Sequence, residues 1–247
     1  MPNEPVYKYP RMRLSRRAVQ GITNAVFHML CDFRVIGREN FPDEGPLLVV
    51  ANHFSFLDPV AVLTVAAPHP IEFVGGFRTP NAPEGVSWLR KAYGYYPVFR
   101  GTGSQIAFRA ADAVFGQRGM LAIFPEGSSA HPILRPPRGG AAFMAARSGA
   151  RILPIGLDGF TDVFPLLAKG KRATATVRIG EPFGPIEAPG RGRKRRQLLD
   201  EIGHDIMRRI RDLIPPERHG HYSDDPEVRA AAAGTEVFEW DEKPEGT

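Results

Sequence analysis

Short apolar runs alternate with helical stretches along most of the chain. Unbroken apolar segments at 46–51 and 119–124 predict central strands that are covered on both faces. Strands are also predicted at 34–37, 71–75, 151–156 and 173–180, and helices at 59–67, 86–93, 104–117, 139–149 and 191–213. This order predicts an α/β fold with a single mixed, mostly parallel sheet flanked by helices.

The segment before the first strand has the pattern of an amphipathic helix. After a Ser15 N-cap, residues 16–33 place apolar side chains at helical spacing, namely Val19, Ile22, Val26, Met29, Leu30 and Phe33. Basic residues come at its start: Lys8, Arg11, Arg13, Arg16 and Arg17. Two interpretations stay open, a helix docked on the core with a solvated basic end and a helix that contacts a membrane.

Composition and charge divide the chain into three parts. The 43% hydrophobic fraction of these 247 residues is that of an ordinary globular protein. The last 29 residues hold eight acidic side chains against Arg229 and Lys243, which gives them a charge of −6. Because the net charge of the chain is +5, the first 218 residues carry +11. We expect a basic arm and helix over 1–33, an α/β domain over 34–214 and a disordered, flexible acidic tail over 215–247.

Cysteine content and hydropathy indicate where the chain works. The lone Cys31 lies in an apolar helix, where it is expected to be a core residue, and it has no partner for an internal disulfide. No run of about 18 apolar residues or signal peptide is evident. We therefore expect a cytoplasmic protein, held peripherally at the inner face of a membrane by its basic body.

Three polar turns carry the candidate chemistry. The first, Asn52 to Pro59, follows one buried strand and places His53 five residues before Asp58, which is also an N-cap candidate. A carboxylate that holds a histidine is typical of a general base. The second turn, Phe124 to Ser129, follows the other buried strand. Because sites in open α/β sheets form beyond the carboxyl ends of strands, these endings should meet.

Together with Gly94 to Arg100, these turns resemble the four sequence blocks of the glycerolipid acyltransferases typified by bacterial 1-acylglycerol-3-phosphate acyltransferase. The blocks fall at Asn52 to Asp58, with Ser55 in its usual place, at Gly94 to Arg100, at Phe124-Pro125-Glu126-Gly127-Ser128-Ser129 and at Ile152 to Ile155, with its proline at Pro154. The resemblance covers about residues 34–185.

The resemblance implies a direct acyl transfer. His53 would deprotonate an acceptor hydroxyl for attack on the thioester of acyl-CoA or acyl carrier protein, with Asp58 orienting it. Arg100 would bind the acceptor's phosphate. Glu126 would hold an acceptor hydroxyl, with Gly127 allowing close approach and Ser128 beside it. The acyl thioester is a co-substrate, and no metal or organic cofactor is implied.

One position departs from the family pattern. Ser129 stands where the family has an arginine, so Arg135 or Arg138 would have to supply that charge, or the acceptor lacks a phosphate. The most favoured acceptor is the lysophospholipid 1-acylglycerol-3-phosphate, giving phosphatidic acid. The alternatives are a lyso amino-acid lipid or glycolipid acceptor and a non-catalytic peripheral lipid-binding protein. Nucleic-acid binding is disfavoured because the sequence contains no recognised motif for it.

Overall fold

The sheet is the centre of the fold. The computed structural model describes residues 9–76, 92–98, 105–129 and 131–237. Within them, seven strands form one sheet in the order β1-β7-β6-β2-β5-β3-β4. They are β1 (Asp32–Ile36), β2 (Leu47–Ala51), β3 (Ile71–Gly76), β4 (Tyr96–Val98), β5 (Met120–Ile123), β6 (Arg151–Asp158) and β7 (Thr174–Ile179). Only the β6–β7 pair is antiparallel, which confirms the predicted mixed, mostly parallel sheet.

Helices cover both faces of this sheet. They are α1 (Arg13–Leu30), α2 (Asp58–Val65), α3 (Gln105–Gly116), α4 (Gly140–Ser148), α5 (Val163–Leu167), α6 (Gly192–Arg211) and α7 (Pro226–Ala232). Leu47, Val49 and Ala51 of β2 join the core formed with α1, α2 and α5. The alternate residues Leu48 and Val50 join the core formed with α3, α4 and α6. This alternation follows from the two-residue period of a strand.

Sequence pattern and structure differ in a few elements. Strand β4 and the short helix α5 were not predicted, because three to five residues give little periodicity. The helix predicted at 86–93 lies mostly outside the described residues. Cys31 is buried and its thiol approaches the carbonyl of Phe27, which confirms its place in the core. Among the helices that the structure describes, none has the length and hydropathy to cross a membrane.

Helix α1 docks through a face that the apolar pattern did not predict. Its buried residues are Arg16, Val19, Gln20, Thr23 and Phe27. The polar ones have partners in the sheet and α2: Arg16 forms two hydrogen bonds of 2.6 and 2.8 Å to the buried Glu72 of β3, and the Gln20 amide donates to the Leu63 and His69 carbonyls. The helix begins at Arg13, and the Ser15 hydroxyl donates to the Met12 carbonyl instead of capping.

Most of the predicted apolar stripe of α1 consequently faces outward. Ile22, Val26 and Met29 are 54%, 37% and 67% exposed, and Leu14 is 84% exposed. The predicted basic flank is divided, since Arg11 and Arg16 bind Glu72 whereas Arg13 and Arg17 are exposed. Lys8 lies outside the described residues. Ile22, Val26 and Met29 are therefore outside the core of the part of the chain that the structure describes.

The prediction of a disordered tail from residue 215 is wrong as far as residue 237. Two 3₁₀ turns, Pro216–Arg218 and Gly220–Tyr222, precede α7, and Asp225 caps that helix by accepting from the amide of Glu227. Ala232 of α7 is fully buried. Backbone hydrogen bonds and alanine packing hold this segment, and neither produces a strong hydrophobic signal in the sequence. Residues 238–247 lie outside the described part of the chain.

Candidate active site

The candidate site lies at one edge of the sheet, where three neighbouring strands end. Strands β6, β2 and β5 are adjacent and parallel, so their carboxyl ends meet at this edge. His53 follows β2, the turn at 124–129 follows β5, and Asp158 ends β6. The predicted meeting of the first two turns is confirmed, and the end of β6 completes the edge.

Asn52 fastens the turn of His53 to β6. Its side-chain amide donates to the Leu157 carbonyl at 2.8 Å, and its side-chain oxygen accepts from the Leu157 amide at 2.7 Å. This pair of bonds extends the β2–β6 ladder by one step beyond Ala51. Asn52 is fully buried, so no water replaces either bond. The motif asparagine therefore fixes the position at which the chain leaves the sheet.

Replacing Asn52 with alanine is expected to lower the free energy of unfolding by about 2–4 kcal/mol, because two buried backbone groups of Leu157 lose their partners. Urea unfolding of Asn52→Ala against wild type measures this loss. The matched control is Asn24→Ala on the exposed side of α1, which should change stability by about 0.5 kcal/mol or less. A loss below about 1 kcal/mol for Asn52→Ala would contradict the assigned role.

His53 and Asp58 form the predicted pair. Nδ1 of His53 lies 3.2 Å from Oδ2 of Asp58, and the same oxygen accepts from the amides of Phe54 and Ser55, both at 2.6 Å. Asp58 is not an N-cap, since it is the first residue of α2 and its carboxylate points back into the turn. Burial raises the pKa of Asp58, whereas His53 and the two amides oppose that shift.

This geometry makes one nitrogen of His53 available for proton transfer. The imidazole is 14% exposed and Asp58 only 1%. With Nδ1 on Asp58, Nε2 is the nitrogen that can take a proton from a hydroxyl. The ring of Phe124 stacks on that of His53 with centroids 4.3 Å apart, which limits its rotation. Ser55 is structural: its hydroxyl accepts from the amide of Leu57.

Glu126 binds the backbone of His53. The structure does not support its predicted contact with an acceptor hydroxyl. Its side chain is fully buried, with Oε1 accepting from the His53 amide at 2.8 Å and Oε2 from the Arg135 amide at 3.2 Å. Burial raises the pKa of Glu126 to about 8, against the opposing effects of the His53 amide and Arg135. Both oxygens are thus used within the protein.

Comparison with known proteins identifies a family whose match includes the residues at this edge of the sheet. The family described as Acyltransferase matches residues 32–158, just over half of the chain, and the match includes His53, Asp58 and Glu126. The chain belongs to the acyltransferase family.

Relatives of this acyltransferase-family chain include two curated proteins. The 1-acyl-sn-glycerol-3-phosphate acyltransferase BAT2, chloroplastic, of Brassica napus is 29% identical over 175 residues, which are 69% of this chain and 48% of that protein. The 1-acyl-sn-glycerol-3-phosphate acyltransferase alpha of Ovis aries is 25% identical over 196 residues, 75% of this chain and 65% of that protein. The chain thus spans about half the length of the first and under two thirds of the second.

A solved structure shows the same fold. The crystal structure of the 1-acyl-sn-glycerophosphate (LPA) acyltransferase PlsC from Thermotoga maritima aligns with a TM-score of 0.55 at 22% identity, covering 78% of each chain. Its α/β fold agrees with the mixed sheet and flanking helices found here. At this identity the likeness concerns the fold alone.

The other predicted site residues of this acyltransferase-family chain fall into different places. Arg100 lies outside the described residues. Gly94 has a φ of 80° and lies before β4, where an added Cβ would be 3.7 Å from the Arg11 guanidinium. Pro154 is buried within β6, opposite Val50 of β2. Gly94 and Pro154 therefore shape the scaffold.

The turn after β5 brings an exposed cation to the edge. Gly127 has a φ of 77°, and an added Cβ would lie 3.5 Å from Cγ of Arg138. The Gly127 amide donates to the carbonyl of Phe124, and the Arg138 amide donates to the carbonyl of Pro125. The Arg138 side chain is exposed, and Ser128 is largely buried. Of the two proposed substitutes for the family arginine, Arg138 is the one that reaches the surface.

Two further arginines lie near the site: Arg135, which the sequence offered as a source of charge for the acceptor, and Arg218, which the sequence did not indicate. The fully buried Arg135 faces Glu126, with Nε 3.7 Å from Oε2, so it does not supply charge to an acceptor. Arg218 lies beside a cleft whose other lining residues include Phe54, Asp58 and Phe160, and it pairs with Asp158 at 3.7 Å. No sequence motif surrounds Arg218. Among the described residues, no group of three or more histidine, cysteine or acidic side chains is arranged to hold a metal ion.

Proposed function

We propose that this chain transfers a fatty acyl group from an acyl thioester to a hydroxyl of a lysophospholipid, with 1-acylglycerol-3-phosphate as the acceptor. The observation that carries the proposal is the His53–Asp58 pair at 3.2 Å, at a sheet edge matched by the acyltransferase family. The names of the Brassica napus and Ovis aries relatives support the acceptor. Acyl-CoA and acyl carrier protein both present the required thioester.

The reaction proceeds without an acyl-enzyme. Asp58 holds Nδ1 of His53, so that Nε2 takes the proton as the acceptor oxygen attacks the thioester carbonyl. The tetrahedral intermediate collapses, the carbon–sulfur bond breaks, and the thiolate takes the proton from the imidazolium. Ester and free thiol form in equal amounts. Arg138 binds the acceptor's phosphate in this proposal, which is supported by its exposure beside Gly127 and by the paired donors of a guanidinium.

An acceptor panel tests this assignment. Purified protein is given one long-chain acyl-CoA, or the same acyl group on acyl carrier protein, together with 1-acylglycerol-3-phosphate, a lyso amino-acid lipid or a lyso-glycolipid. Phosphatidic acid should be the main product, from one or both donors. Esterification of an unphosphorylated acceptor with no reaction of 1-acylglycerol-3-phosphate would replace the acceptor, and lipid binding without turnover of any pair would indicate a non-catalytic lipid-binding protein.

We also propose that the outward apolar face of α1 binds the membrane surface that holds the acceptor. Leu14, Ile22, Val26 and Met29 form that face, and Arg13 and Arg17 lie exposed beside it. Apolar side chains flanked by cations are suited to a bilayer containing anionic lipids. Location at the cytoplasmic face of that membrane stays a prediction.

Replacing Ile22 with glutamate should weaken binding to vesicles of phosphatidylcholine and phosphatidylglycerol by about 10-fold, since one apolar side chain no longer enters the lipid. Flotation or sedimentation with increasing lipid measures the partition. Asn24→Glu is the matched control because it makes the same charge change at an exposed position of α1 outside the apolar face. Equal partition of Ile22→Glu and Asn24→Glu would mean that the apolar face does not contact lipid.

A further inference from the structure

A chain of contacts runs from the last described residues to the backbone of His53. Its first link is Glu126, whose buried carboxylate accepts from the His53 amide at 2.8 Å and from the Arg135 amide at 3.2 Å. Since His53 lies one residue beyond Asn52, it is anchored on one side by β6 and on the other by Glu126. The position of the imidazole therefore depends on where Glu126 is held.

Arg135 is the second link. Its side chain is 1% exposed, and its guanidinium donates to the Ser128 carbonyl at 2.5 Å and to the Thr235 carbonyl at 3.4 Å, while Nε lies 3.7 Å from Glu126. It therefore joins the turn after β5 to the C-terminal segment. The buried cation beside this turn is therefore Arg135.

The third link is the segment 216–237, here called the C-terminal clasp. Its backbone forms two hydrogen bonds with Leu134. The Leu134 amide donates to the carbonyl of Arg218 at 2.9 Å, and the Leu134 carbonyl accepts from the amide of His221 at 3.1 Å. An added Cβ at Gly220 would lie only 2.4 Å from the Leu134 carbonyl oxygen, so the two backbones are in close contact. Nε2 of His221 lies 3.1 Å from the Thr235 hydroxyl, which holds the end of the clasp beside Arg135.

We propose that Arg135 and Glu126 are positioning residues and that the C-terminal clasp acts on catalysis through them. The clasp fixes Arg135, Arg135 fixes Glu126, and Glu126 fixes the backbone of His53 so that its imidazole stays aligned on Asp58. The inference rests on the proposed function, since alignment affects a rate only if His53 is the base. The clasp lies outside residues 32–158, the part of the chain that matches the family.

Kinetics of three variants test the proposal. Arg135→Met should lower kcat by about 10- to 100-fold, as expected for a misplaced catalytic group, with KM for both substrates within about twofold. Arg135→Lys should recover part of the loss, because it restores the charge without the planar donor set. His221→Ala, at a half-buried side chain in the clasp, should lower kcat by about threefold to 10-fold. Glu227→Ala, exposed on α7, is the matched control and should match wild type.

The imidazole signal of His53 provides a readout that does not need turnover. In nitrogen-15 spectra of the full chain, His53 should show one tautomer in wild type and in Glu227→Ala, and broadened or mixed signals in His221→Ala and Arg135→Met. The His69 signal should stay unchanged. If Arg135→Met fails to fold, His221→Ala still tests the positioning role, because the contact that it removes, between His221 and Thr235, lies at the end of the clasp.

The outcomes separate this inference from the proposed function. Wild-type protein without acyl transfer on any substrate pair would contradict the proposed function. Active wild type, with an unchanged kcat and an unchanged His53 signal in His221→Ala and Arg135→Met, would contradict the positioning role. A raised KM for the acceptor at unchanged kcat in Arg135→Met would show that Arg135 serves acceptor binding instead.

Discussion

Replacing His53 with alanine should lower kcat by about 10³-fold while the protein stays folded, because the acceptor hydroxyl then loses its general base. The imidazole is partly exposed and its main packing partner is the ring of Phe124, so a modest change in the thermal midpoint is expected. Steady-state rates with acyl-CoA and 1-acylglycerol-3-phosphate, together with circular dichroism, measure both quantities.

His69→Ala is the matched control for this prediction. The ring of His69 is likewise partly buried, and it stacks on the ring of Phe41. His69 precedes β3 and Phe41 precedes β2, so both belong to the amino-terminal edge of the sheet. Its loss removes a similar ring from the opposite edge and should leave kcat nearly unchanged. A His53→Ala variant with kcat within about threefold of wild type would show that His53 is not the base.

Asp58→Asn should also lower kcat by about 10³-fold, with little change in KM. The asparagine oxygen can still accept from the amides of Phe54 and Ser55, so the turn is retained. Its NH2 group, however, then takes the position of Oδ1, which has no hydrogen-bond partner among the described residues, so a buried donor is left unpaired. The amide also provides no charge to stabilise the imidazolium.

Asp58→Ala separates the turn from the chemistry. This variant leaves the two amides without their buried acceptor, so its free energy of unfolding should fall by about 2 kcal/mol below that of Asp58→Asn. Because Asp58 acts through His53, the double variant His53→Ala/Asp58→Asn should be no slower than His53→Ala alone. Near-normal activity in Asp58→Asn, together with an inactive Asp58→Ala, would mean that Asp58 serves only to build the turn.

The sequence predicted the sheet and the His53–Asp58 pair because both depend on local pattern. The apolar runs before Asn52 and Phe124 are long enough to identify buried strands, and parallel strands bring their carboxyl ends to one edge. The spacing of the histidine and the aspartate lets a five-residue turn bring them together. Both inferences need no knowledge of distant contacts.

What the sequence did not predict depends on distant partners. The polar face of α1 is buried because Glu72, 56 residues after Arg16, forms ion pairs with it, and helical periodicity alone favours the opposite face. Glu126 turns inward because Arg135 and the His53 amide meet it there. The clasp is ordered by backbone contacts to Leu134, which a composition rich in alanine and acidic residues does not reveal.

We propose direct transfer of an acyl group to a lipid hydroxyl with His53 as the base. Its most direct test measures thiol release and lipid product together when purified protein is mixed with acyl-CoA, with and without 1-acylglycerol-3-phosphate. We predict that thiol release depends on the acceptor, equals the phosphatidic acid formed, and disappears in His53→Ala. Thiol release without acceptor, or equal product from wild type and His53→Ala, would contradict this mechanism.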